Sequence, residues 1–420
     1  VAGLTTFLTM SYIVALNPLI LKAAGLPTSG IVTATVLAAA LGSILMGAVA
    51  RLPYALAPGM GLNAFFTYEL VLRHGATPEQ ALGLVAWSGI LFVVLSLTPF
   101  RAEVARSIPP YLRAAVAAGI GLFLAFIGLK NAGLVVDHPV TLVTLGKLDQ
   151  RHVLFLVGLL VATWLYRKRK PYAFLVAMVA TTVLALAWGR PEHLQPQDWA
   201  TAPATLVQRP DFSLFLKADL SGAFQASLIA PLVTLFFTDL FDSLSTFMGV
   251  SQAAGLVDEE GEPLRIEVAL TVDAVATLGS GLLGTSPATT YIESTSGIEA
   301  GGRTGLTAIV AGLAFLPLMF LSPLVGALPA FATAPVLVIV GALMAKGYGG
   351  ADRPFEEQLP AFAVLALIPL TFSITTGILW GLILHPVLFF LSGRGREVGG
   401  MSWFLGALCF WLLWLDKGLA

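Results

Sequence analysis

Apolar runs long enough to cross a bilayer recur from one end of the chain to the other, separated by short polar or Gly/Pro-rich breaks. A spanning helix needs about 20 mostly apolar residues. Reading the runs against the breakers predicts first-half segments near 4–21, 31–50, 54–72, 80–99, 114–136, 152–167 and 172–188. The second half repeats the exercise at 226–250, 266–284, 287–300, 304–325, 331–347, 358–373 and 375–392. The pattern therefore predicts an all-α polytopic membrane protein of about 14 transmembrane segments. A Trp-rich stretch, "MSWFLGALCFWLLWL", adds a further span or an interfacial helix, and "FSLFLKADL" reads as a short surface helix. The opening run "LTTFLTMSYIVALNPLIL" is too long for a cleavable signal peptide and is expected to stay as an anchor.

The equal halves suggest duplication, and "LGSILMG" (Leu41 to Gly47) returns as "LGSGLLG" (Leu278 to Gly284). Each copy ends a span, and each precedes a broken segment: "ARLPYALAPGMGLNAFFTYEL" in one half, "TSPATTYIESTSGIEAGG" in the other. An odd number of segments per half makes the copies run in opposite directions, a 7+7 inverted repeat. Paired Gly/Pro-broken segments at matching positions point to a binding site at the membrane midplane. The loops "FRAEVARSIPPYLR", "YRKRKP" and "SGRGREVGG" are basic and fall on one side if every segment crosses. That side is expected to be cytoplasmic in a multi-pass protein of the cell membrane, with the long connection after the seventh segment outside.

Composition narrows the function. Of 420 residues, 57% are hydrophobic and only 11% charged, which leaves no room for a sizeable soluble domain. Mean hydropathy is +0.87. The net charge of −1 offers no footprint for nucleic acid, and no phosphate-cradling loop or metal-spaced Cys/His set appears, so neither metal nor cofactor is expected. The single cysteine, Cys409, reads as packing.

Against this background "FFTDLFDSLSTFMG" (Phe236 to Gly249) carries two carboxylates where charge is costly. At ~100° per residue, Thr238, Asp239, Asp242, Ser243, Ser245, Thr246 and Gly249 share one arc of about 160°. The aromatic and aliphatic residues fill the other side, so the acids face protein or a water-filled path. The wheel does not separate Asp239 from Asp242. Glu293, in "ATTYIESTSG", follows a Pro-marked break and precedes a possible helix restart capped by Ser294 or Thr295. Burial favours its acid form and a helix N-terminus favours the carboxylate, a balance suited to a proton carrier. The β-branched "TTYI" suits a short extended piece. In the paired break, Gly59 and Gly61 allow close backbone approach, and Asn63 can cap a helix or present its amide to a ligand. Asp273 reads as structural between helices, His385 as interfacial, and Glu69 as reaching the headgroup region.

Together "AGLTTFLTMSYIVALNPLIL", "APGMGLNAFFTY", "GIGLFLAFIGLKNAGLV", "FTDLFDSLSTFMGV" and "GTSPATTYIESTSGIEAGGRTG" resemble the AzgA-like purine permeases of the nucleobase:cation symporter-2 family, nearly end to end. The resemblance implies a core domain (1–105 and 226–327), a gate domain (106–190 and 328–420) and an external connection (191–225). It also implies short antiparallel strands facing one another in the third and tenth segments. It makes Asp239 and Glu293 the substrate-binding acids and proposed proton carriers, and Asn63 an important third-segment position. Asp242 and Gly61 become supporting residues. Apart from the resemblance, the aromatics Phe65 and Tyr291 are candidates to stack on a ligand ring. The implied activity is proton-coupled import of a purine such as adenine, guanine, hypoxanthine or xanthine, by elevator-like movement of core against gate. A homodimer is compatible with the sequence. Two rivals stay in view: an anion transporter or channel of the same fold, and a Mg²⁺-dependent prenyl-transferring membrane enzyme using the Asp-x-x-Asp pair. The acids disfavour the first, and the missing phosphate-binding cations the second.

Overall fold

The computed structural model describes residues 1–98, 109–191, 194–195, 199–203, 205–257, 263–346, 348–349 and 353–418, with side chains to Trp414. The basic loop expected at 100–113 falls largely outside the described residues, and the domain boundary at 106 wholly so.

The first segment forms two helices, α1 (Ala2–Met10) and α2 (Ile13–Leu21), rather than one continuous run. At the junction the Ser11 hydroxyl bonds back to Leu8 O at 2.9 Å, competing with the regular ladder. The second segment is α3 (Thr28–Leu45), which continues in wider turns to Ala50. Then comes the first break: β1 (Leu56–Pro58), then α4 (Met60–Ala64), running on in wide turns over Phe65–Arg73. Next, α5 (Pro78–Ser96) opens with a reciprocal Thr77/Gln80 capping box and Pro78 in its first turn, where no N–H is missed. The first half closes with α6 (Pro110–Asn131), an exposed hairpin of β2 (Val135–His138) and β3 (Leu142–Leu145), α7 (Gln150–Arg167) and α8 (Ala173–Trp188).

The second half follows the same plan. It holds α9 (Ala226–Ala254), α10 (Ile266–Leu283), then β4 (Ala288–Thr290) and α11 (Ser294–Glu299) as the second break. After them come α12 (Gly305–Gly326), α13 (Ala330–Ala345), α14 (Phe355–Thr371), α15 (Ile374–Leu391) and α16 (Gly400–Gly418). Among the described residues, eight helical runs are long and apolar enough to cross a membrane by length and composition. The outer faces of the helices carry exposed Leu122, Leu160, Trp164, Val183, Phe362 and Phe390, a surface suited to lipid rather than water. The protein is a multi-pass membrane protein.

The two breaks meet. β1 and β4 pair antiparallel, Leu56 opposite Thr290 and Pro58 opposite Ala288, and Gly59 N–H to Pro287 O (2.9 Å) and Tyr291 N–H to Ala55 O (3.0 Å) extend the pairing. So short a ribbon leaves edge groups that must find partners inside the protein. Ser43, from the first repeat motif, accepts from Leu56 N–H (2.9 Å) and donates to Leu56 O (3.1 Å). On the other edge Thr277, just before the second copy, stands 3.2 Å from Ala288 O.

The helices sort into two bundles. In one, α1 and α3 pack on α12, α5 packs on α10 and α9, and α3 also meets α10. In the other, α6 packs on α13 and α14, α7 on α8 and α13, and α14 on α15. At the α6–α13 crossing a Cβ on Gly121 would stand 2.4 Å from Gly341 O, so only glycine permits that approach. The stretch expected as a surface helix, Phe212–Leu220, forms turns instead. Leu216 N–H bonds to Leu282 O at 2.8 Å and Asp219 N–H to Glu79 O at 2.9 Å, spending on neighbouring helices the donors a helix would need.

Candidate functional site

A cavity of about 90 Å³ lies at the junction of the two bundles. Tyr12, from the α1–α2 junction, Gly59, Met60 and Gly61 after β1, and Asp242 and Thr246 of α9 line it. Thr290, Tyr291, Ile292 and Glu293 complete that side, while Val340 and Met344 of α13 face them from the other bundle. Sites for drug-sized ligands enclose roughly 300–1,000 Å³, so any solute larger than a few waters needs the walls to part.

Each polar group is held in place. Glu293 Oε1 accepts from the Tyr12 hydroxyl at 2.6 Å, and the Tyr12 ring is fixed edge-on against Phe174 at 5.2 Å. Asp242 Oδ2 accepts from Thr289 Oγ1 of β4 at 3.2 Å. The Tyr291 hydroxyl donates to Pro58 O at 2.5 Å, so its ring wall is tied to the opposite strand. Gly61 leaves room for α6: a Cβ there would lie 2.6 Å from Ile120 Cγ2.

Behind the strands lies a second, fully buried polar layer. Asp239 Oδ2 accepts from Thr277 Oγ1 at 2.7 Å, and its Oδ1 has no hydrogen-bond partner among the described residues. Asp273 accepts from the Ser243 hydroxyl, from Thr290 N–H at 3.1 Å and from Thr290 Oγ1 at 3.2 Å. Asn63 Oδ1 accepts from Ser286 Oγ at 2.7 Å, and Asn17 Nδ2 donates to Thr35 Oγ1 (2.7 Å) and Thr285 Oγ1 (2.8 Å). Among the described residues no Lys, Arg or His forms an ion pair with Asp239, Asp242, Asp273 or Glu293.

The structure thus brings Glu293, Asp242, Gly61 and Tyr291 to one cavity and sets Asp239 and Asn63 behind it. The resemblance gives Asp239 the ligand and Asp242 a supporting place; here Asp242 lines the cavity and Asp239 meets Thr277. α9 turns Asp239 toward α10 and Thr277, and Asp242 toward the strand end. Asn63 does not cap: it lies inside α4, whose cap position is Gly59. Phe65 is fully buried and does not line the cavity. Ser294 does not cap α11 but accepts from Ala55 N–H at 3.0 Å. Asp273 bridges α10, α9 and β4, matching the structural reading. Glu69 and His385 are corrections. Glu69 is 1% exposed and pairs with Arg73 at 3.3 Å, and His385 is 5% exposed and bonds the Tyr111 hydroxyl at 2.8 Å. A polar partner from another helix meets each of them, Ser373 for Glu69 at 2.8 Å and Tyr111 for His385, which local sequence does not record. Tyr12, Val340 and Met344 were missed for the same reason, since an apolar or aromatic residue in an apolar run carries no mark.

A larger cleft of about 770 Å³ opens elsewhere between the bundles, lined by Tyr68, Arg73, Ile127, Lys130, Arg151, Phe331 and Phe372 among others. It holds none of the candidate acids, so the smaller cavity is the candidate site.

With this geometry in view, residues 1–380 match the Permease family, Xan_ur_permease. The chain belongs to that family. It is 40% identical over 400 residues to adenine permease AdeP of Escherichia coli (strain K12), covering 95% of this chain and 88% of that protein. It is 39% identical over 405 residues to guanine/hypoxanthine permease PbuO of Bacillus subtilis (strain 168), covering 95% and 92%. Among solved structures, the transmembrane domain of the cyanobacterial bicarbonate transporter BicA superposes with a TM-score of 0.65 at 17% identity, covering 90% of this chain and 95% of that one. At that identity the likeness concerns the fold alone. The protein is a membrane transporter of the nucleobase permease family and not an enzyme.

Proposed function

We propose that the protein imports a purine nucleobase by proton symport, with the base held between Asp242 and Glu293. The observation that carries this reading is the cavity: two carboxylates from different elements face a space that Val340 and Met344 of the second bundle flank. The permeases for adenine and for guanine/hypoxanthine among the relatives supply the substrate class. A purine offers ring N–H donors, acceptor nitrogens and exocyclic groups. Carboxylates at two edges accept its N–H groups when ionised and donate when protonated, a readout that depends on protonation. Tyr291 and the backbone at Gly59 and Gly61 complete the walls.

In this reading Asp239 and Asn63 support the site from behind. Asp239 positions α9 against Thr277 and, with Glu293, is a proposed carrier of the symported proton, because an unpaired buried charge is costly and a proton removes the cost.

The packing supports two inverted repeats of seven segments, divided into a core (α1–α5 and α9–α12) and a gate (α6–α8 and α13–α15). Exchanging halves turns the α3–α12 contact into α10–α5, α1–α12 into α9–α5, and α6–α14 into α13–α7, and all of these contacts occur. Elevator-like movement of core past gate would part Met344 and Val340 from Glu293. The basic loops are assigned to the cytoplasm on charge alone.

The test is radiolabelled purine uptake into proteoliposomes with and without an inward proton gradient, with bicarbonate as the competing solute. Gradient-independent uptake refutes the coupling. Normal uptake by both Asp242→Asn and Glu293→Gln refutes the site, and bicarbonate transport without purine transport favours the anion reading.

A further inference from the structure

We propose that Glu69, Arg73, Ser373 and Thr376 form a latch that closes one end of the transport path by tying the third segment to the start of α15. The inference rests on the core-and-gate division above, because those two elements belong to different bundles.

The wide turn at the end of the third segment carries Glu69 inward, 1% exposed. Its Oε1 accepts from the Ser373 hydroxyl at 2.8 Å and stands 3.3 Å from Arg73 Nη1. Arg73 continues across the junction, with Nη1 and Nη2 each 3.4 Å from Thr376 Oγ1. Ser373 is the cap of α15, accepting from Thr376 N–H at 2.9 Å, so the first turn of that helix is keyed to a carboxylate of the other bundle. The preceding residue, Phe372, holds a left-handed backbone (φ 54°) that L side chains rarely adopt. Its ring meets Tyr68 at 5.7 Å and Phe123 at 4.9 Å. A strained corner clamped by aromatics and a buried acid marks a junction with one preferred arrangement.

Position gives the latch its consequence. Arg73, Tyr68 and Phe372 line the 770 Å³ cleft, as does Phe331 in the first turn of α13. The central cavity touches the same helix at Val340 and Met344, about 14–20 Å further along at 1.5 Å per residue. The latch therefore shuts the cleft end while the cavity sits toward the other. Moving the core past the gate requires these hydrogen bonds to break, so their strength sets the balance between the two access states.

The test uses cysteine accessibility in proteoliposomes of known orientation. In a Cys409→Ala background, Met344→Cys reports which face a membrane-impermeant maleimide reaches the cavity from. Glu69→Gln and Thr376→Val are each expected to raise labelling from the cleft face, relative to the opposite face, by about tenfold, the effect of losing one charge-assisted hydrogen bond. The double variant is expected to fall short of the product of the two. Thr376→Val keeps the Glu69–Ser373 bond and so remains informative if Glu69→Gln fails to fold. A labelling ratio within about twofold of the parent in folded Thr376→Val overturns the latch. The readout contains no purine. A shifted ratio in a protein that takes up no purine leaves the latch standing and removes the substrate reading, whereas a parent reachable from neither face in turn overturns both.

Discussion

Gly61 offers the sharpest test of how the cavity works. It lies in α4, and a Cβ placed there would stand 2.6 Å from Ile120 Cγ2 on α6 of the other bundle. Carbon atoms in good contact sit about 3.5–4.0 Å apart, so Gly61→Ala forces a displacement of about 1 Å at the surface along which the bundles would slide. Ile120 is 4% exposed and β-branched, with little freedom to yield. Overpacking of this kind costs about 1–3 kcal/mol, a factor of about 5–150 in any step that needs the two faces in register. Gly61→Ala is expected to lower the initial rate of purine uptake by about tenfold or more, with the chain still folded. Ile120→Ala on its own leaves a cavity and destabilises by about 2–5 kcal/mol. Combined, the two changes relieve each other, and the double variant should recover uptake with a coupling of about 1–2 kcal/mol. Uptake by Gly61→Ala within about twofold of the parent, or effects that add to within about 0.5 kcal/mol, would refute the steric argument.

Three further outcomes are expected. Asp242→Asn and Glu293→Gln should each weaken purine binding by about 10–100-fold, since a hydrogen bond to a charged group is worth about 1.5–3 kcal/mol; calorimetric titration of folded variants decides it. Gly121→Ala should lower stability by about 1–3 kcal/mol through its clash with the Gly341 carbonyl, seen as an earlier thermal transition in detergent. On the connection between the halves, the Ser29 hydroxyl, 2.6 Å from Asp211, holds that carboxyl below the usual range. A depressed folded-state value means its contribution is present above the ordinary aspartate value of about 3.9 and is lost as pH falls below it. Asp211→Asn should therefore melt earlier than the parent at neutral pH, and the difference should vanish in strong acid.

Much of this was already in the chain. Apolar runs of bilayer length and their Gly/Pro breaks marked nearly every helical element, because a segment that meets lipid must be apolar along its whole length. The recurrence of "LGSILMG" as "LGSGLLG" pointed to the two broken segments whose strands pair. The wheel put Asp239 and Asp242 on one inward face, because 3.6-residue periodicity is a local property of the helix. Which aspartate reaches the cavity was not local. It depends on α10 presenting Thr277 to Asp239 and on β4 ending beside Asp242. Tyr12, Val340 and Met344 became part of the site only when distant segments converged, and Glu69 left its expected place at the headgroups only because Ser373 met it from another bundle. Sequence determines the faces and breaks of each element, since they follow from the residues within one turn or one strand. Tertiary structure decides partners, since a buried polar group takes whichever neighbour the packing supplies.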